Sequence, residues 1–388
     1  MITKETTKVY DNQRRIGIAL SGGGIRAAVF HLGTLKWLAE NNMLEDVARI
    51  SSVSGAGLGI GLVYAQNGHR WPTSEEYLKN VLPKVKTVIL HKDILHTAIK
   101  RLIFSPWWWH KRVNLMAKIL QKHWGLSGDL TDLKKTPSWF INCTTYETGK
   151  RFRFSQEDMG DYRIGYVSNP KIPLADAVAA SAGLPVFIGP YKLKTDKFQW
   201  EKSYFSKDDS VTVEKYIHLW DGGVYDNLGM ESVYKPDNGG SLCEGIDYLV
   251  VSNASMPIEY KRREKNVSGK NLKRLLEIAM DQVMALRNRS VMDYFKRTRK
   301  GVYYKIGNSA QDIVEDSKLP AALKKELIAQ CLSAEDAQRA CDYPTTLSKP
   351  TEADFELLLR HGYEVAKCTS ICYDPECTVF SKRCEIRV

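Results

Sequence analysis

Arg14-Arg15-Ile16-Gly17-Ile18-Ala19-Leu20 runs directly into Ser21-Gly22-Gly23-Gly24-Ile25-Arg26. The apolar run is short and stops at three glycines, the mark of a buried strand that ends in a tight loop. From Ile25 to about Leu44 the apolar residues Val29, Leu32, Leu35 and Leu38 recur at helical spacing, so the loop opens into a helix. The same order then repeats. Val47 to Val53 has strand character, Ser54-Gly55-Ala56-Gly57 is a turn of small residues, and Leu58 to Gln66 is helical. Two consecutive strand–turn–helix units imply a parallel sheet covered by helices, because parallel strands need a crossover connection. In such sheets ligands collect at the carboxyl ends of the strands, where both small-residue turns sit.

Outward from these units, a basic and aromatic segment at about 79–135 interrupts the pattern as an inserted helical region. Strands resume near Trp139 to Thr145 and Arg151 to Phe154, and a helix is predicted from Leu174 to Ala182. Further strands are predicted at Tyr216 to Trp220, Asp247 to Asn253 and Val302 to Ile306, with one long or kinked helix over 268–295. No repeat or low-complexity linker divides the chain. We read residues 1–388 as a single α/β domain with a mostly parallel central sheet flanked by helices. It carries the insertion and, at about 310–388, a helical extension that contains cysteines.

The chain has 388 residues and a formal net charge of +11, with 43% hydrophobic and 26% charged residues, ordinary values for a folded domain. The positive balance favours an anionic partner. No zinc-finger, recognition-helix or RNA-binding signature is present, so the partner expected is a phospholipid surface and no nucleic acid. The polar start, Met1 to Arg15, lacks the apolar core of a signal peptide, and no run approaches the roughly 18 residues of a membrane span. A cytoplasmic protein that meets membranes from the side is the expectation. Of eight cysteines, Cys368, Cys372, Cys377 and Cys384 crowd the C-terminus without a paired CxxC. Ordinary thiols are preferred over a zinc site.

Three motifs carry chemistry. Ser52-Val53-Ser54-Gly55-Ala56 approximates the G-x-S-x-G nucleophile elbow, with Ser52 and Ala56 in place of the glycines. It lies between a strand and a helix, as an elbow must, and the helix start behind Ser54 offers N–H groups to an oxyanion. Gly22, Gly23 and Gly24 point backbone N–H groups into one concavity, without the pattern of a dinucleotide or P-loop site. Arg26 follows, as a headgroup contact or, the preferred reading, as a structural ion-pair partner. In Trp220-Asp221-Gly222-Gly223-Val224-Tyr225-Asp226-Asn227, Asp221 ends an apolar strand.

In this order the three motifs resemble the patatin-like phospholipase family, as do Asn142 to Gly149, Ala179 to Pro185 and, more loosely, Leu357 to Tyr363. The resemblance spans nearly the whole chain. It implies a three-layer fold and a dyad of nucleophile Ser54 and base Asp221, with Gly22, Gly23 and Gly24 as the oxyanion loop and Gly55 as a further donor. It also implies acyl-enzyme hydrolysis of phospholipid esters without a metal or organic cofactor. Some bacterial relatives act as toxins or anti-phage effectors, and latency released by a small-molecule or protein activator fits such an enzyme. Two other readings compete. Ser54, Asp221 and His361 occur in the order of a Ser-Asp-His hydrolase, and the imperfect elbow suits a lipid-binding module with little turnover. Trp107, Trp108 and Trp109 beside Lys111 and Arg112 have the composition of an interfacial anchor. Buried packing in the insertion and an oligomer contact are the alternatives. The basic clusters at 261–265 and 296–300 read as solvated faces.

Overall fold

The computed structural model describes residues 14–183, 188–202, 213–258, 260 and 269–374. Leu184, Pro185, the 261–265 cluster, Cys377 and Cys384 lie outside them. Both predicted units are present: β1 (Ile16–Leu20), α1 (Gly24–Glu40), β2 (Val47–Val53) and α2 (Gly55–Gln66). β1 pairs in parallel with β2, and β2 with β3 (Ser138–Thr145). Beyond β3 the sheet turns antiparallel through β4 (Arg151–Phe154), β5 (Asp158–Asp161) and β6 (Gly165–Ser168). β7 (Tyr191–Lys194) pairs with β8 (Tyr216–Asp221), which returns antiparallel to β3. A separate ribbon joins β9 (Tyr234–Lys235) to β10 (Ser241–Leu242). β11 (Tyr248–Asn253) then pairs in parallel with β1 and with β12 (Gly301–Lys305).

β1 is buried throughout, as expected of a strand with both faces covered. Alternation sends Ile18 and Leu20 into the larger core and Ala19 into a second core with Leu249 and Val251. α3 (Ser74–Glu76) leads into the inserted segment, which contributes α4 (Leu82–His91), α5 (Ile94–Phe104) and α6 (Arg112–Ile119). α7 (Leu174–Ser181) lies against the elbow, and α8 (Gly223–Asp226) is a single turn after β8. α9 (Gly269–Thr298) is one unbroken helix whose Val291, Tyr294 and Phe295 close the second core. Beyond β12 follow α10 (Ala310–Glu315), α11 (Ala321–Ala329), α12 (Ala334–Cys341) and α13 (Glu352–Tyr373). The result is three layers, helix, sheet and helix. No helix among the described residues is long and apolar enough to cross a membrane.

α13 packs backbone to backbone on α1. A Cβ at Gly33 would stand 2.0 Å from the Leu359 carbonyl oxygen, and one at Gly362 would stand 2.1 Å from that of Phe30. His361, the alternative triad histidine, is thereby held in the interior. It packs on Phe30, and its Nε2 donates to the Ile306 carbonyl at 2.7 Å. Burial pushes its pKa down.

Candidate active site

The site is assembled by register on β3. Along one edge of that strand Asn142 faces Val53 of β2, and the next residue, Cys143, faces Asp221 of β8. Both partners lie on the same edge, because β4 occupies the other. The carboxyl end of β2, which leads into Ser54, therefore meets the carboxyl end of β8, which is Asp221. Motifs 167 residues apart become neighbours.

Ser54 has φ 52° and ψ −121°, in the region that favours glycine, and it caps the N-terminus of α2. A non-glycine residue holds such a conformation only when its surroundings fix it. Here the Ser54 N–H donates to Ser181 Oγ at 2.9 Å, and that hydroxyl donates onward to the Asn142 carbonyl at 2.7 Å. Ser52, which departs from the elbow consensus, is buried and accepts from Trp139 Nε1 at 2.9 Å. Its polarity is satisfied, so the turn forms without the glycine. Gly55 is obligatory, since a Cβ there would lie 2.0 Å from the Gly24 carbonyl oxygen. The N-termini of α1 and α2 thus touch, and both positive dipole ends face Ser54.

In the glycine loop, Gly22 departs from its expected role. Its N–H donates to the Asn227 carbonyl at 3.1 Å and is not free for an oxyanion. Its missing side chain matters instead, because a Cβ would stand 3.0 Å from Ser54 Cβ and 2.6 Å from Asn227 Oδ1. The amides of Gly23, Gly24 and Gly55 make no hydrogen bond among the described residues. His31, not singled out in the sequence, props the loop from below. Its Nε2–H donates to the Ser21 carbonyl and its Nδ1 accepts from the Ser252 hydroxyl, both at 2.9 Å. Burial pushes its pKa down to about 4, so the ring stays neutral.

The Asp221 carboxylate is buried, stands beside Ser54 on the cleft wall and accepts a hydrogen bond from the Gly223 N–H at 2.7 Å. Loss of solvation outweighs the Gly223 bond and the nearby Ser54 hydroxyl and pushes its pKa up to about 6. Ser54 and Asp221 open into a cleft of about 230 Å³. Gly22, Gly23, Arg26 and Asn227 form its polar wall, and Met256, Pro257, Met280 and Met284 its apolar one. No histidine lines the cleft among the described residues. A Ser-Asp-His arrangement with His361 therefore has no support in the geometry. Among the described residues no group of three His, Cys, Asp or Glu side chains is placed to hold a metal ion.

Comparison with known proteins matches the patatin-like phospholipase family model to residues 18–234, more than half of the chain. The chain belongs to the patatin-like phospholipase family. A patatin-like phospholipase domain-containing protein of Pyricularia oryzae is 27% identical over 262 residues, covering 64% of this chain and 27% of that one. A protein of the same description from Aspergillus clavatus is 23% identical over 258 residues, covering 63% and 30%. The chain thus spans between a quarter and a third of the length of these curated relatives. Human GIVD cytosolic phospholipase A2 shares the fold, with a TM-score of 0.51 and 15% identity over 96% of this chain and 60% of that one.

The remaining candidate residues of this patatin-like chain fall in different places. Arg26 is buried and lines the cleft, where Nε donates to the Ala254 carbonyl at 3.2 Å and Nη1 to that of Tyr343 at 2.6 Å. It ties loops together through carbonyls, and no carboxylate among the described residues forms the ion pair expected from the sequence. Burial pushes its pKa down to about 10, which leaves it charged at neutral pH. Trp107 and Trp109 are 70% and 55% exposed, whereas Trp108 is half-buried beneath Lys118, whose Nζ stands 4.8 Å above its ring. Ser181 and Asn142, which brace the elbow, lie in segments that carried the family resemblance. Nothing in their spacing announced the hydrogen bonds they make.

Proposed function

We propose that the chain is a phospholipase A-type lipid acyl hydrolase that cleaves fatty-acyl esters of membrane phospholipids through a Ser54–Asp221 dyad. The observation that carries this reading is that Ser54, in its strained turn after β2, and the buried Asp221 at the end of β8 line one cleft at the meeting point of two strand ends. As Ser54 Oγ attacks the ester carbonyl carbon, its proton passes to Asp221. The oxyanion is placed to accept from the free amides of Gly23, Gly24 and Gly55. Collapse breaks the ester bond, the departing alkoxide takes the proton from Asp221, and an acyl-serine remains. Asp221 then removes a proton from water, which attacks the acyl carbon, and returns that proton to Ser54 as the fatty acid leaves. A carboxylate whose pKa is raised to about 6 is a stronger base than an ordinary aspartate yet is still largely ionised at neutral pH.

The cleft is smaller than the roughly 300–1,000 Å³ of a site that encloses a drug-sized ligand, so it suits the reacting ester with the acyl chains extending outward. The Arg26 guanidinium, on the cleft wall and charged at neutral pH, suits the phosphodiester. Exposed Ile103, Phe104, Trp107 and Trp109 beside Lys111 and Arg112 form an apolar, basic surface proposed to touch a membrane from the cytoplasmic side. A fluorophosphonate probe tests the nucleophile. One label per chain, mapped to Ser54 by mass spectrometry and lost in Ser54→Ala, is the expected result. An unlabelled wild type, or label retained in Ser54→Ala, would remove Ser54 from the mechanism.

A further inference from the structure

α9 faces two ways. One side lines the catalytic cleft through Met280 and Met284, and further along the helix its C-terminal third is buried in the second core. Arg287 fastens this packed part beside the dyad, with Nε 3.4 Å from Asp226 Oδ1 and Nη2 3.3 Å from Glu231 Oε1. On the other side Leu272, Leu275, Ala279 and Leu286, spaced three, four and seven residues apart, form one stripe along the helix. Leu272, Leu275 and Leu286 are 61%, 64% and 62% exposed. An amphipathic helix ordinarily turns such a stripe to the core. Here the core-facing side is already occupied, and the leucines stand in solvent.

Charge identifies what covers them. The α9 sequence carries seven Lys or Arg residues against three Asp or Glu, a net of +4 within a chain of net +11. Leucines on one face of a helix rich in Lys and Arg match the interfacial class of helix, which sinks its apolar side to the depth of the acyl boundary and sets its cations on anionic headgroups. A second copy of the chain would bring two such cationic helices together, an arrangement that charge opposes.

We infer that the leucine face of α9 docks the protein on an anionic phospholipid surface. This rests on the lipid-hydrolase reading for its purpose, but its test is independent of turnover. Binding is measured by flotation with vesicles of equimolar phosphatidylglycerol and phosphatidylcholine, and with vesicles of phosphatidylcholine alone. Wild type, the triple variant Leu272→Glu/Leu275→Glu/Leu286→Glu and the milder triple Leu→Ser variant are compared, with melting temperature as a check on folding. The stripe is exposed and outside the cleft, so both variants are expected to fold and to hydrolyse soluble p-nitrophenyl butyrate like the wild type. Wild type is expected to prefer the anionic vesicles, and both variants to lose at least about tenfold in affinity for them. Unchanged vesicle binding in the variants overturns the inference, and so does a wild-type dimer that the variants dissociate while vesicle binding persists. Leucine-dependent vesicle binding by a protein that hydrolyses no ester supports the docking face and counts against the hydrolase reading alone.

Discussion

Asp221 is under two opposed demands, and both are measurable. As the proposed base it must be ionised, so hydrolysis is expected to rise about tenfold per pH unit below 6 and to level off above it. Its folded pKa of about 6 exceeds the ordinary ~3.9, so the stability contributed by its protonated form is full below about pH 4 and lost as the pH rises through 6. Asp221→Asn is therefore expected to abolish hydrolysis yet stabilise the fold by about 1–3 kcal/mol at pH 8, a gain that fades toward pH 4 in thermal melts. His361→Ala is expected to lower the melting temperature and leave kcat unchanged, because the ring bonds to Ile306 in the interior. A kcat loss equal to that of Ser54→Ala would restore the triad. Ser181→Ala removes the acceptor of the strained Ser54 N–H and is expected to cost roughly 1 kcal/mol in urea melts and to reduce kcat. That Ser54 and Asp221 stand at strand ends was legible, because each closes an apolar run beside small residues. The engagement of the Gly22 amide was not, because its acceptor, Asn227, lies more than 200 residues along the chain.

Among elements, local pattern and long-range pairing divide what the sequence could reveal. β1–α1 and β2–α2 follow from apolar runs broken by glycines, and the structure keeps both. β5 and β6, Asp-Met-Gly-Asp and Gly-Tyr-Val-Ser, have no strand pattern of their own and exist as strands through pairing with neighbours. The offset of β8 on β3 was equally hidden, although it is what brings Asp221 to Ser54. α9 was predicted as a helix, but its facing was not, since its apolar residues divide between core, cleft and solvent. Its latch gives an element-scale expectation. Arg287→Leu leaves Asp226 buried without its cation and is expected to cost about 3 kcal/mol in urea unfolding. A change below about 0.5 kcal/mol would mean that the ion pair does not hold the helix.

On the scale of the whole molecule, the family match ends at residue 234, yet the sheet does not. β11 inserts beside β1, and α13 seals α1 through Gly33 and Gly362, so chain beyond the matched region completes the layers around the site. The net charge of +11 concerns encounter rather than fold. Binding to anionic vesicles is expected to weaken as salt rises from 0.05 to 0.5 M, because the Debye length falls from about 14 Å to about 4 Å. Salt-independent binding would assign the contact to the exposed leucines and tryptophans alone. The central claim is that Ser54 and Asp221 together release fatty acid from phospholipid. It is tested most directly by mass spectrometry of the products that wild type, Ser54→Ala and Asp221→Ala release from mixed phospholipid vesicles. Fatty acid and lysophospholipid from the wild type, with neither above background in the two variants, is the expected result, whereas undiminished release by either variant would contradict it.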